Sequence, residues 1–120
     1  SPRLLDEFFT PSAAKVVEAF DYQVFHTHST TPQLAESLLG IDKLTALDVT
    51  IDPGGPPLEE LIPFWNRILE TKSLIIQAPV TQQQLDLLVS SLSPGGLWLD
   101  VEIVTEDELA SWDWSWTKTE

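Results

Sequence analysis

Four short β-like segments alternate with helical segments along this 120-residue chain, and this alternation limits the folds open to it more than any other feature. Aromatic and β-branched residues mark strands at 22–28 and 44–52, and later at 73–78 and 97–104. Apolar residues at helical spacing fill the intervals, with turn or cap residues such as Thr31-Pro32 and Thr81 at their starts. The order αβαβαβαβα predicts an α/β fold with four parallel strands.

The two faces of the predicted strands differ in polarity. In 44–52, Leu47, Val49 and Ile51 alternate with Asp48, Thr50 and Asp52, and 97–104 repeats this pattern. Because residues i and i+2 of a strand share a face, one sheet face is apolar and the other polar and acidic. A doubly wound parallel sheet would be apolar on both faces. The pattern therefore favours a half-TIM-barrel-like arrangement, or alternatively a short leucine-rich-repeat-like arc.

The chain divides into three parts within one predicted α/β domain, 1–120. An N-terminal helix covers 1–20, with Thr10 expected as its N-cap before Pro11, and four βα units cover 22–104. A short helix and a tryptophan-rich acidic tail cover 105–120. For this tail we consider two alternatives, contact with a partner and packing over the domain's own open edge, which involve Trp112, Trp114 and Trp116.

Composition excludes several function classes. Nineteen acidic and six basic residues give a net charge of -13, which argues against nucleic acid and membrane surfaces as partners. The chain has no cysteine, which excludes disulfides and thiolate-bound metals, and no apolar run long enough to span a bilayer. We expect a cytoplasmic protein that self-associates or binds a protein partner, because a four-stranded parallel sheet leaves unpaired edges.

The only two histidines, His26 and His28, share one face of the first strand. Two imidazoles at this spacing can bind a divalent ion such as zinc with Asp52 or Glu102 as third ligand. The alternatives are hydrogen bonding at the strand end and contact with a substrate, and we favour these over a metal site. We expect no cofactor. His26, His28 and Asp52 are the candidate catalytic residues.

Further polar residues on the same predicted face are candidates for ligand binding: Asp48, Gln77, Asp100 and Glu102. Asp48, Asp100 and Glu102 could form a carboxylate cluster with Asp52, in which close like charges raise one pKa and supply a general acid. The alternative is a solvated acidic face, which we favour. The segment "DPGGPP" lacks the lysine and the spacing of a phosphate loop and is read as a strand-to-helix turn.

The run "FHTHSTTPQLAESLLGIDKLTALDVTIDPGGPPLEELI", with "LIIQAPVTQQQLDLLV" and "LSPGGLWLDV", resembles the C-terminal half of the uroporphyrinogen decarboxylase-like barrels, over residues 20–112. This family includes cobalamin-linked methyltransferases. The resemblance rests on the order of a histidine strand, an aspartate strand, a third strand and a glycine-preceded fourth strand. It implies half of a (βα)8 barrel that acts in a larger or oligomeric assembly.

This sequence departs from the family in two respects. The methyltransferases bind zinc through a His-x-Cys pair and a later cysteine, whereas this chain has His26-x-His28 and no cysteine. The decarboxylases hold substrate carboxylates with arginines of the N-terminal half of the barrel, which has no counterpart in this sequence. Whether this chain is an enzyme is therefore left open, and the resemblance implies a half-barrel without a complete active site of its own.

Overall fold

A computed structural model describes residues 2–103, 105–113 and 115 of the chain. The helices and strands follow the predicted alternation from the first strand onward. They are α1 (Pro2–Leu4), a π-helical turn (Leu5–Phe9), α2 (Thr10–Glu18), β1 (Val24–His28), α3 (Pro32–Leu39), β2 (Ala46–Thr50), α4 (Leu58–Leu69), β3 (Ser73–Pro79), α5 (Gln82–Ser91), β4 (Leu97–Glu102) and α6 (Glu106–Ser111).

The four strands form one parallel sheet in the order β1-β2-β3-β4. The register aligns His26 with Asp48 and His28 with Thr50, and Thr50 in turn with Gln77. Each crossover joins a strand to its immediate neighbour. Because such crossovers are right-handed, strands in sequential order have their helices on one side of the sheet. The predicted α/β fold with four parallel strands is confirmed.

The two sheet faces have the predicted difference in polarity. The face under the helices is buried and includes Leu47, Val49, Leu74 and Ile76, which pack with Trp65 of α4 in the hydrophobic core. The opposite face, called the open face below, remains accessible, and Trp98 on it is 68% exposed. The strand residues of the open face are Val24, His26, His28, Ala46, Asp48, Thr50, Ser73, Ile75, Gln77, Pro79, Trp98, Asp100 and Glu102.

The prediction that Thr10 caps the first helix was wrong. Helical structure begins at Pro2, and the Thr10 hydroxyl donates to the Leu5 carbonyl at 3.2 Å instead of capping. The Thr10 N–H bonds to the same carbonyl, five residues earlier, which makes Leu5–Phe9 a π-helical turn. Pro11 has no N–H to donate. The wider turn just before it lets the helix continue past a proline that the sequence pattern takes for a start.

A buried lysine forms hydrogen bonds between two segments at the end of the sheet where the strands begin. Lys72 precedes β3, and its Nζ donates to the carbonyl of Ile41 at 2.8 Å and to that of Leu44 at 3.1 Å. Burial lowers the pKa of Lys72, and the nearby charge of Asp42 acts in the opposite direction. The start of β3 is thereby tied to the segment between α3 and β2.

The predicted starts of two helices in the C-terminal half of the chain are confirmed. Thr81 caps α5 in a complete capping box, in which its hydroxyl accepts from the Gln84 N–H and the Gln84 side chain accepts from the Thr81 N–H. Thr105 caps α6 by accepting from the Glu108 N–H at 3.1 Å. No helix within the described residues is long and apolar enough to cross a membrane.

Candidate functional site

Each histidine of β1 is paired with an aspartate. His26 Nδ1 lies 3.0 Å from Asp48 Oδ2, and His28 Nδ1 lies 2.7 Å from Asp52 Oδ1. The two imidazole rings meet edge to face, with centroids 5.0 Å apart. Sequence analysis grouped these four residues on one face but did not pair them. The pairing depends on the β1–β2 register, which places His26 directly beside Asp48.

The carboxylates determine which ring nitrogen carries the proton. An ionised carboxylate only accepts hydrogen bonds, so Nδ1 of each neutral imidazole must donate. Nε2 of each ring then has an unprotonated lone pair. About half of each histidine side chain is exposed on the open face. This is the arrangement in which a carboxylate orients an imidazole to accept a proton or to bind a ligand's donor group.

Asp52 is held by the residues that follow β1. Its Oδ2 accepts from the Thr30 hydroxyl at 2.7 Å and from the Thr30 N–H at 3.2 Å, and its own N–H donates to Ser29 Oγ at 2.9 Å. The Thr30 hydroxyl, followed by His28, lowers the pKa of Asp52 from 3.8 to about 2. Asp52 is therefore ionised throughout the physiological pH range.

The segment after β2 turns sharply and fixes the backbone of Asp52. The Gly55 N–H donates to the Asp52 carbonyl at 3.1 Å, with Pro53 second in the turn and Gly54 third at a φ of 76°. A positive φ at the third position is the reason for glycine in a type II turn. A Cβ on Gly55 would lie 3.0 Å from Ser29 Oγ. "DPGG" therefore supports the site through its backbone, as the predicted strand-to-helix turn.

Asp48 has one oxygen that makes no hydrogen bond within the described part of the chain. Oδ2 bonds to His26, whereas Oδ1 is buried and unpartnered. A buried carboxylate oxygen without a donor costs stability. Asp48 therefore combines an orienting contact to His26 with an unused acceptor beside it.

The remaining ligand-binding candidates form a second group at the β3–β4 end of the open face. Gln77, Asp100 and Glu102 line a cavity of about 270 Å³ together with Thr50, Ala78 and Pro79. The Thr50 hydroxyl donates to Gln77 Oε1 at 3.5 Å. His28 and Asp100 occupy the same row three strands apart, which is about 14 Å at the usual strand spacing. The structure therefore divides the proposed carboxylate cluster in two.

The histidines and carboxylates of the candidate site are not arranged as the ligands of a metal ion. Across the described residues, no group of three or more histidine, cysteine, aspartate or glutamate side chains is arranged to hold a metal ion. Glu102 lies on β4, three strands from the histidines, and Asp52 bonds to His28 and Thr30.

Of the three tail tryptophans proposed to contact a partner, the structure describes one. Trp112 is buried in the hydrophobic core cluster, which is the alternative in which the tail packs on its own domain. Next to it, the Asp113 N–H donates to Gln82 Oε1 at 2.8 Å, which fastens the tail to the start of α5. Trp114 and Trp116 lie outside the described residues.

Sequence reasoning did not select Thr30, Ser29 or Trp98. The first two belong to "HSTT", where hydroxyl residues directly after a strand are a signal for bonding to a neighbouring loop. Trp98 alternates with Leu97 and Leu99, which assigned it to the polar face without a role. No family model, no curated protein and no solved structure matches the chain.

Proposed function

We propose that the chain is half of a βα barrel whose open face contacts a polar ligand and is completed by another polypeptide segment. One observation carries this proposal. The helices α3, α4 and α5, which connect the strands, lie on one face of the parallel sheet, and within the described residues no helix covers the other face, which bears two histidine–carboxylate pairs. Parallel sheets are almost always covered on both faces or closed into barrels. Kinship with uroporphyrinogen decarboxylase-like barrels belongs to this proposal and rests on the sequence resemblance.

The rim where the strands end is the expected ligand position. In βα barrels, ligands bind at the carboxyl ends of the strands. His28 ends β1, and Asp52 follows β2 at the same edge. The ligand would donate hydrogen bonds to the two Nε2 atoms, which makes hydroxyl and amide groups suitable.

The half-barrel supplies only part of an active site. Its open-face residues include acceptors and two oriented imidazoles, but no lysine or arginine side chain. A cation that would bind an anionic group of a substrate must therefore come from the completing segment. We therefore propose an assembly and assign no reaction to the isolated chain.

A second candidate function is an acidic interaction module of the leucine-rich-repeat type. The observation that favours it is the edge formed by β4, where Asp100 and Glu102 are exposed beside Trp98 and form no ion pair within the described residues. Exposed carboxylates next to an indole ring suit a lysine- or arginine-bearing segment, because the ring also attracts cations.

Imidazole NMR tests these functions, because the chain has only two histidines and hence only two ring systems. We expect small polyols and amides to shift both sets of ring signals, and His26→Ala to abolish the response. Gln83→Ala, on the exposed surface of α5, is the control and should respond like the parent.

The same experiment separates the two candidates. A hexalysine peptide that shifts the Trp98 indole signal and leaves the imidazoles unchanged would favour the interaction module. If neither the small molecules nor the peptide perturbs any open-face signal, both functions are wrong for this face.

A further inference from the structure

The outer edge of β4 carries backbone groups that pair with no other strand. The Gly96 carbonyl accepts from the Leu74 N–H of β3, and alternate residues of a strand direct their backbone groups to opposite sides. The even-numbered residues of β4 therefore bond toward β3, whereas Leu99 and Val101 direct N–H and C=O away from it. Because β4 is the last strand of the sheet, no strand within the described residues pairs with these outward groups.

Two of the three open-face side chains along this edge are acidic. Trp98, Asp100 and Glu102 are exposed, and neither carboxylate forms an ion pair within the described residues. An unpaired strand edge is a template on which another chain can pair, and charged side chains along it keep identical edges apart. Two copies of this chain would set these carboxylates against each other. The edge therefore disfavours a second copy and favours a strand of opposite charge.

A cavity beside the edge has room for the end of a basic side chain. It measures about 270 Å³ and is lined by Thr50, Gln77, Ala78, Pro79, Asp100 and Glu102. The two carboxylates and the Gln77 side-chain carbonyl are hydrogen-bond acceptors, and no lysine or arginine is among the lining residues. Trp98 precedes Asp100 by two residues on the same face, so its ring can contact the apolar stem of a lysine or arginine.

We infer that the outer edge of β4 binds an extended basic polypeptide segment, which joins the sheet as a fifth strand. In strand addition, backbone hydrogen bonds supply affinity, and alternate side chains enter pockets that supply specificity. The outward groups of Leu99 and Val101 bond to the backbone of the added strand. Its lysine or arginine residues occupy alternate positions on the open-face side, where they lie beside Asp100 and Glu102.

The size of the edge makes this contact weak and dependent on salt. β4 has six residues. A segment of that length buries far less than the roughly 800 Å² per partner of a standard interface. Attraction between exposed charges is screened over a Debye length of about 10 Å at 0.1 M salt. We therefore expect a reversible complex whose affinity falls as sodium chloride is added.

This binding mode deepens the second candidate function proposed above and rests on it, because that function assigns a basic segment to the same edge. The inference adds that the bound segment is extended and that its backbone takes part in binding. A partner held by its charges alone would agree with that function and contradict strand addition. The experiment must therefore distinguish backbone from side-chain contacts.

N-methylated peptides make this distinction. The parent peptide alternates lysine and threonine over six residues, and binding is followed by the indole N–H signal of Trp98, assigned with Trp98→Phe. One derivative carries N-methyl groups on its lysines and the other on its threonines, since alternate residues direct their N–H groups to opposite sides. We expect one derivative to bind at least roughly tenfold more weakly than the parent peptide and the other within about threefold, because only one set faces β4. Equal binding of the two derivatives would overturn the inference.

Removal of charge tests the acidic side chains. Asp100→Asn combined with Glu102→Gln should weaken binding of the parent peptide about fivefold and reduce its dependence on salt. Glu59→Gln combined with Glu60→Gln removes two charges from exposed positions of α4 and should change the affinity no more than about twofold. Equal effects of the two double variants would contradict the inference.

The hexalysine experiment separates failure of this inference from failure of the function on which it rests. If hexalysine shifts the Trp98 signal but N-methylation at either set of positions is without effect, the basic partner stands and strand addition is wrong. If neither hexalysine nor the alternating peptide shifts that signal, both the second candidate function and this inference are wrong.

Discussion

Replacing Lys72 by methionine should destabilise the fold far more than the same change at an exposed lysine. The Lys72 ammonium is buried and donates to two backbone carbonyls, those of Ile41 and Leu44. Hydrogen bonds from a charged donor contribute about 1.5–3 kcal/mol each, and the cost of burying the charge reduces their sum. The Ile41 carbonyl keeps the Leu44 N–H as a second donor at 3.1 Å. We therefore expect a loss of about 3 kcal/mol.

Urea denaturation followed by tryptophan fluorescence measures this loss. Lys43→Met is the matched control, because the exposed Lys43 forms an ion pair with Glu18 at 3.6 Å and donates to the Glu18 carbonyl at 3.0 Å, and exposed ion pairs contribute at most about 1 kcal/mol. If Lys72→Met costs less than about 1 kcal/mol, or no more than the control, the carbonyls do not depend on this ammonium and the reasoning fails.

The pH dependence of the stability difference between the parent and Lys72→Met provides a second check. Burial lowers the folded-state pKa of Lys72 below the 10.5 of the unfolded chain, so unfolding takes up a proton between those two values. The contribution of Lys72 to stability must therefore rise with pH in that window. The stability difference between the parent and Lys72→Met should widen from neutral toward alkaline pH, and a narrowing would contradict the lowered pKa.

Two further predictions concern the site. In Asp52→Asn, the amide N–H should donate to His28 Nδ1 and shift the ring proton to Nε2. Nitrogen-15 NMR of the imidazole detects this shift, and an unchanged tautomer would refute the pairing of His28 with Asp52. The stability difference between parent and variant should shrink as pH falls from 3.8 to about 2, since the lowered pKa stabilises only the ionised form of Asp52. Gly55→Ala should cost about 1–3 kcal/mol by crowding Ser29, whereas Gly95→Ala, with nothing within 4 Å of the added Cβ, should cost less in the same urea assay.

The helices, the strands and the polarity of the two sheet faces could be predicted from the sequence, because they depend on local periodicity. Leu47 and Val49 alternate with Asp48 whatever the strand pairs with, and Thr81 caps α5 through an N–H three residues away. The start of the first helix was missed for a local reason as well. Pro11 after Thr10 is a standard start signal, and nothing in the pattern indicates that a π-helical turn precedes it.

The pairing of side chains within the site could not be predicted from the sequence, because it depends on the register between strands. The pairing of His26 with Asp48 requires β1 and β2 to be neighbours in one particular alignment, across 22 residues of chain. His28 reaches Asp52 only because Thr30 and the turn after β2 hold that carboxylate at the strand end. A list of polar residues on one face cannot separate these pairs from Asp100, which lies in the same row but three strands from His28.

The sequential order of the strands also governs how the molecule comes apart. Each strand pairs only with the strand before or after it in the chain, so the contacts form a one-dimensional array of nearest neighbours. Removing β1 breaks one ladder and leaves β2, β3 and β4 paired as before. Opening can therefore begin at either end of the sheet as a partial, reversible event that does not require global unfolding. The histidines lie on the outermost strand, which makes the geometry of the site the first property lost when the β1 end frays.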